Sequence, residues 1–412
     1  MYGYGRSQNG LPITLLDIPA LRHLHLNYFN IDIPTWLANL TSLESLELEE
    51  TGSVREILPH LWKLTNLRKL KLAYVDDLVE LPASLAKLEH LEELNIDGSD
   101  FENFPAIVGS LASLQSFSWK YCYCALPEIF DTLAALPRLK KLRLMHSNHG
   151  EGGDFLPESF CRLQAIEELH FNQWTDLQEL PECIGGMSSL RVVNLSNDDY
   201  SVCYDTAMIK ELPDSLGNLY NLEELDVYGL ENLKQLPKSF ERLSKLKRLD
   251  TMYSGIDELR LISEQWKKLE GLRIHGTLPD LRQCVNLKDF AWLTKDVFVD
   301  RYRADELIGS LSQLESLSIF EGRLDSAAFL ASLTNLCRLR LSCDFESFPE
   351  GFEKLNRLEE LEIWNSKSLT ALPEYIGRMP SLKRLYLSGC GVKHLPKSVL
   401  ERKDLCVTHD KI

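Results

Sequence analysis

Nowhere in the 412 residues does an unbroken apolar run approach the roughly 18–20 residues that cross a bilayer, so no membrane-spanning helix is expected. The opening MYGYGRSQNG lacks the apolar centre of a secretory leader, and none is expected in this chain. Positive charge is in short supply. Against 61 Asp and Glu there are 45 Lys and Arg, a net charge of −16, which argues against a general nucleic-acid binder. The sequence has no H-E-x-x-H, no G-x-S-x-G, no G-x-G-x-x-G and no Gly-Lys dipeptide. It therefore lacks the residue patterns that hold a catalytic zinc, raise a serine on a nucleophile elbow, or cradle a phosphate. The ten cysteines include a C-x-C at Cys122 and Cys124 but no C-x-x-C, and they are scattered. Together with the missing leader, this predicts reduced thiols and a cytosolic or nuclear protein.

What the chain has in abundance is repetition. The pattern LxxLxL recurs sixteen times, starting at Leu21, Leu43, Leu67, Leu91, Leu114, Leu139, Ile166, Leu190, Leu222, Leu246, Leu269, Leu287, Leu314, Leu336, Leu358 and Leu382. Most starts lie 22–25 residues apart, the period of leucine-rich repeats. Within LxL the side chains alternate, so the leucines point inward and the residue between them outward. One repeat cannot cover its own leucines, but stacked neighbours bury them in a continuous core. Pro12, Pro34, Pro82, Pro105, Pro157, Pro181, Pro213, Pro237, Pro349, Pro373 and Pro396 each stand nine residues before the next repeat's first leucine. Proline there ends an extended segment and is expected at the first position of a short helical turn. The expected fold is α/β: one leucine-rich-repeat solenoid, or horseshoe, with a parallel sheet on its concave face and short helices or turns on its convex face. A partial repeat or cap spans 1–20, the array 21–404, and a partial repeat or tail 405–412. Both ends cut through a repeat, as expected of an array taken from a longer chain.

The ninth repeat position, often Asn in such arrays, is never Asn here. It is Thr51, Ser99, Cys122, Ser147, Ser254, Thr277, Ser366 or Cys390 in eight repeats, small side chains able to hydrogen-bond in a buried turn. Cys390 is accordingly expected to be structural and inert. The period stretches at SNHGEGGDF and NDDYSVCYDTAM, and it contracts and then stretches across 251–313. These insertions are expected in loops, with a change of curvature around 251–313. His146 and His149 lie near Glu151 and Asp154 but have no thiol ligand beside them, and no metal site is expected.

The frame in LYLSGCGVKHLPKSV (385–399) and LDVYGLENLKQLPKSFERL (225–243) resembles the leucine-rich-repeat region of plant intracellular nucleotide-binding immune receptors. It is also similar to the cytosolic Ras-group leucine-rich-repeat proteins. The resemblance covers about residues 11–405. It implies a non-enzymatic recognition module whose partner is a pathogen effector or a regulatory domain of the same receptor. The Ras-group likeness implies instead a scaffold for a small GTPase or phosphatase. Similar repeats in bacterial effectors give a third alternative, the substrate-binding part of a ubiquitin ligase. Nucleotide switching cannot be carried over, because the Gly-Lys of a phosphate-binding loop is missing.

If a partner binds, the outward strand positions should meet it. They run His25, Glu47, Lys71, Asn95, Ser118, Arg143, His170, Asn194, Asp226, Asp250, Arg273, Ala291, Ser318, Arg340, Glu362 and Tyr386. At about 4.8 Å per strand they would form a surface on the order of 70–80 Å long. Aromatic residues flank this column, and aromatic and arginine side chains dominate binding hot spots. The candidate partner-binding residues are Tyr28, Tyr74, Tyr121, Arg143, Tyr228, Tyr253, Phe320, Arg340, Glu362, Trp364 and Tyr386. Arg340, Glu362, Trp364 and Tyr386 form the first choice, because charge and aromatic anchors coincide there. No catalytic residue, cofactor, metal, nucleic acid or membrane partner is expected.

Overall fold

A computed structural model of the chain describes residues 11–18, 20–99, 101–122, 124–146, 154–174, 176–197, 208–259, 264–294, 305–324 and 327–409. The His146–His149 neighbourhood and most of the three longest insertions lie outside the described residues. The molecule divides into two compact units, Met1–Ile209 and Lys210–Ile412.

In the first unit the parallel strands are β1 (His23–Asn27), β2 (Ser45–Glu49), β3 (Lys69–Ala73), β4 (Glu93–Asn95), β5 (Ser116–Cys122), β6 (Lys141–His146), β8 (Glu168–His170) and β10 (Val192–Asn194). Each pairs with the next in that order. A separate parallel pair joins β7 (Asp154–Phe155) to β9 (Leu177–Glu179). The second unit repeats the arrangement with β11 (Glu224–Asp226), β12 (Arg248–Asp250), β13 (Gly271–His275), β14 (Asp289–Leu293), β15 (Ser316–Arg323), β16 (Arg338–Asp344), β17 (Glu360–Trp364), β18 (Arg384–Ser388) and β19 (Cys406–His409), again paired in sequence. Both are stretches of leucine-rich-repeat solenoid.

The register aligns equivalent residues rather than sliding them, because a one-residue slip would turn every leucine to solvent. Leu46, Leu70, Leu94, Phe117, Leu142 and Leu169 form one buried row, and Leu225, Leu249, Leu272, Phe290, Leu317, Leu339, Leu361 and Leu385 another. Each such leucine contributes about 1.5–3 kcal/mol relative to an exposed one.

The other side of most described repeats is a short 3-10 helix. In Leu85, Leu88 and Leu91 the apolar side chains recur every third residue, the period of a three-residue turn, and all three are buried. Where the spacing changes to Ile129, Phe130 and Leu133, the segment Leu126–Leu133 forms an α-helix instead. Ten of the eleven prolines sit one place earlier than expected, as the residue that caps the helix rather than its first member. Proline's fixed φ is kept, its ψ remains extended, and its carbonyl accepts the first i+3 bond, as from Leu37 N–H to Pro34 at 3.1 Å. Pro349 is the exception, since Gly351 at φ +90° caps the next helix.

The ninth position behaves largely as expected. Thr51, Ser99, Ser254, Ser366 and Cys390 are buried. Ser99 Oγ donates to the Ile96 carbonyl at 2.7 Å, Ser366 Oγ to Phe345 at 3.2 Å, and Cys390 Sγ to Ile363 at 3.4 Å. Thr277 departs from the pattern and is exposed. One expectation about cysteine is corrected: Cys161 and Cys183 are disulfide-bonded, with Cα atoms 5.6 Å apart. Their 22-residue separation is one repeat, which places them on consecutive stacked helices within bridging distance. A search for closely spaced pairs does not find that geometry.

Candidate protein-binding face

The outward column read from the repeats is the column the sheet forms. His25, Glu47, Lys71, Asn95, Ser118, Arg143, His170 and Asn194 are register partners in the first unit. In the second, Asp226, Asp250, Arg273, Ala291, Ser318, Arg340, Glu362 and Tyr386 are. Two strand positions further on runs a second outward column.

The flanking aromatics separate into two structural positions. Tyr228, Phe320 and Trp364 belong to this second column, as does Met252. Tyr28, Tyr74, Tyr121 and Tyr253 do not. They fall one residue later, with φ of 56°, 52°, 59° and 55°. The same step is taken at positive φ by Glu50, Gln173, Glu321 and Asn365, and by Gly98, Gly229, Gly276 and Gly389. A left-handed residue is thus a recurring part of the repeat. Glycine adopts it without strain, whereas an L side chain there costs about 1–2 kcal/mol. Tyr28, Tyr74 and Tyr253 are among the exposed large side chains despite that cost.

The structure gathers the candidates into groups. Tyr74 and Tyr121, two repeats apart, meet edge-on with centroids 6.2 Å apart. Gly98 makes that approach possible, since a Cβ there would lie 2.3 Å from the Tyr74 ring. Arg143 is half-buried between Ser118 and His170 in the first column, in neither member of that pair. Tyr228 and Tyr253 meet at 5.2 Å. Tyr228 and Phe320 pack on a small cluster of Met252, Ala291 and Leu293 on the outward side of the sheet. Trp364 and Tyr386 stack at 4.4 Å and 29°. Beside them Arg340 grips Glu362 with two bonds of 2.6 and 3.0 Å, and Trp364 Nε1–H donates to the same carboxylate at 3.3 Å. The Arg340 guanidinium accordingly holds Glu362 below the usual carboxylate range.

Most charges on the strands are matched by the adjacent repeat. Lys69 pairs with Glu47 at 3.0 Å, Lys71 with Glu49 at 2.7 Å, Arg248 with Glu224 at 2.7 Å, and Arg384 with Glu360. Exposed pairs of this kind add little stability, but they hold the long side chains down along the ladder.

The sequence sets Ala291, Asp226 and Asp250 in the outward column, but none of them, nor Leu293, is among the candidate binding residues read from it. DFAWL reads as one apolar run, which hides Leu293 as a second outward member beside Ala291, while aligning the repeats places the two aspartates side by side. Burial pushes the Cys284 and Cys343 thiols up to about 12, away from nucleophilic thiolates. Among the described residues no three His, Cys, Asp or Glu side chains could hold a metal ion, and no helix is long and apolar enough to cross a membrane. Asp154, once a conceivable ligand, is buried and accepts the Trp174 indole N–H at 2.8 Å.

No family model matches the chain. It is 26% identical over 358 residues to "Disease resistance protein RPP4" of Arabidopsis thaliana, an alignment covering 85% of this chain and 29% of that protein. It is 30% identical over 212 residues to "TMV resistance protein N" of Nicotiana glutinosa, covering 49% and 17%. The mouse "Volume-regulated anion channel subunit LRRC8A" is 28% identical over 251 residues, covering 60% and 27%. The chain thus spans less than a third of these relatives. Among solved structures, a Leptospira interrogans leucine-rich-repeat protein superposes with a TM-score of 0.57 at 21% identity, covering 96% of this chain and 97% of that one. A TDR receptor superposes with a TM-score of 0.55 at 20% identity, covering 96% and 69%. The structural likeness shows the fold. The sequence likeness shows a leucine-rich-repeat protein that resembles the repeat regions of plant resistance proteins, a protein-interaction module.

Proposed function

We propose that this chain is the partner-sensing repeat region of a plant-type intracellular immune receptor, acting without catalysis and binding a protein on the outward face of its sheets. The partner is a pathogen effector or a regulatory domain of the same receptor. The likeness to the two plant resistance proteins supports the setting, a cytosolic or nuclear one. The observation that carries the face is the Arg340–Glu362–Trp364–Tyr386 group. A stacked pair of large rings lies beside a bidentate ion pair on a half-exposed sheet, where a planar anchor is already ordered before a partner arrives.

The test is capture from plant extract, alone and with a panel of pathogen effectors, using wild type and the Trp364→Ala/Tyr386→Ala double variant. A protein held by wild type and lost by the variant supports the reading and identifies the partner. Equal capture by both moves the binding surface off this group. Failure to capture any effector or receptor domain counts against immune sensing and leaves a signalling scaffold as the better account.

A further inference from the structure

Cys161 and Cys183 occupy a contact that other repeats make without any covalent bond. Cys161 is the fourth residue of its 3-10 helix, Glu158–Arg162, and Cys183 is the second of the next, Glu182–Gly186. The same two positions meet elsewhere on the convex side. Gly217, fourth in Asp214–Asn218, lies so close to Ser239, second in Lys238–Arg242, that a Cβ on it would sit 2.4 Å from that residue. Gly377 and Ser398 repeat the arrangement at 2.3 Å. Packing alone therefore stacks these helices, and the disulfide is an addition to the repeat, not a requirement of it. Each bridged helix keeps its own anchor in the core, Phe160 in one and Ile184 in the other, while both cysteines are only half-buried. Two further ties cross the same joint: β7 pairs with β9, and Asp154 accepts the Trp174 indole N–H at 2.8 Å.

We propose that Cys161–Cys183 is a reversible thiol–disulfide site that sets how tightly the two repeats it joins are stacked. The co-reactant is a dithiol. Its thiolate attacks one sulfur, the S–S bond breaks, and the released cysteine thiolate takes up a proton. The second sulfur of the dithiol then displaces the other cysteine. Two electrons and two protons thus pass to the protein, leaving two cysteine thiols and a disulfide in the reductant. A small-molecule disulfide runs the same exchange backwards. Two separate thiols need more room than one bond, at a contact that elsewhere holds glycine against serine. Reduction therefore pushes the two helices apart at this joint, and oxidation draws them together. Reversibility rests on the proposed cytosolic or nuclear setting, where disulfides are transient and not standing links.

The experiment equilibrates the full chain with dithiothreitol and then with glutathione disulfide, maps thiol labelling by peptide mass, and follows backbone hydrogen exchange. Peptide mapping keeps the exposed Cys406 thiol apart from this pair. Cys161 and Cys183 are expected to pass from linked to labelled and back, with circular dichroism unchanged. On reduction, exchange over 154–162 and 177–186 should rise about tenfold or more while β16, β17 and β18 stay constant. The Cys161→Ala/Cys183→Ser variant, which carries small residues found at these positions in other repeats, should ignore both reagents. A bond that glutathione disulfide does not form, or that breaks only when the chain unfolds, overturns the proposal. The second of these results also counts against a reducing compartment, while the capture experiment decides separately whether the sheet binds a protein. Exchange that reduction leaves unchanged, or that changes equally in the variant, overturns the control of stacking.

Discussion

Asp250→Asn should make the protein more stable at neutral and alkaline pH, although it removes a charge from a surface crowded with ion pairs. The Asp250 side chain is 18% exposed, faces Asp226 across the ladder, and has its carboxyl raised to about 7 from the ordinary 3.8. Because the folded value lies above the unfolded one, folding takes up a proton between about pH 4 and pH 7. The favourable contribution is complete below the unfolded pKa and is lost as pH rises through the folded one. At about 1.4 kcal/mol per pH unit, the loss approaches a ceiling of about 4 kcal/mol by pH 8. Asparagine abolishes the repulsion and the ionic desolvation, and its Oδ1 can still accept the Met252 N–H. Urea unfolding of both proteins at about pH 5 and about pH 8 provides the measurement, with the transition slopes compared to detect partial unfolding of the repeat array. The variant should gain at least about 1 kcal/mol over wild type at the higher pH and show a flatter dependence between the two. Equal or lower stability of the variant at pH 8, with an unchanged slope against pH, would refute the assignment of Asp250 as a strained carboxylate.

Other perturbations probe the repeat itself. Leu385→Ala, in the buried row between Leu361 and Val407, should cost about 2–5 kcal/mol in urea unfolding, and a loss below about half a kcal/mol would contradict the register. Tyr28→Gly relieves a left-handed tyrosine and should leave stability within about 1 kcal/mol of wild type, whereas Tyr28→Val should be distinctly destabilising. Equal melting temperatures for the two variants would show that φ at this step is not constrained. Gly377→Ala would set a Cβ 2.3 Å from the Ser398 carbonyl carbon, so neighbouring helices must separate. A loss of about 1–3 kcal/mol is expected by thermal unfolding, and a neutral substitution would mean the helices are less closely stacked.

The division between what was legible and what was not follows the range of the interactions. The LxxLxL period determined which residues face in and which face out, because strand alternation is a local property and identical repeats can stack in one register. The outward column from His25 to Asn194 and that from Asp226 to Tyr386 therefore follow from the sequence. So do the proline-led helical turns, to within one residue. The left-handed step that recurs after many of the strands left only a faint trace, since glycine fills it in some repeats while tyrosine, glutamate, glutamine or asparagine fills it in others. Tertiary structure alone decided which side chains meet. It set Tyr74 on Tyr121 across Gly98, stacked Trp364 on Tyr386, joined Cys161 to Cys183, and gathered Met252, Ala291 and Leu293 into an outward apolar cluster. Those contacts depend on how closely successive repeats pack and on rotamers chosen against neighbours a whole repeat away, quantities that no single repeat encodes.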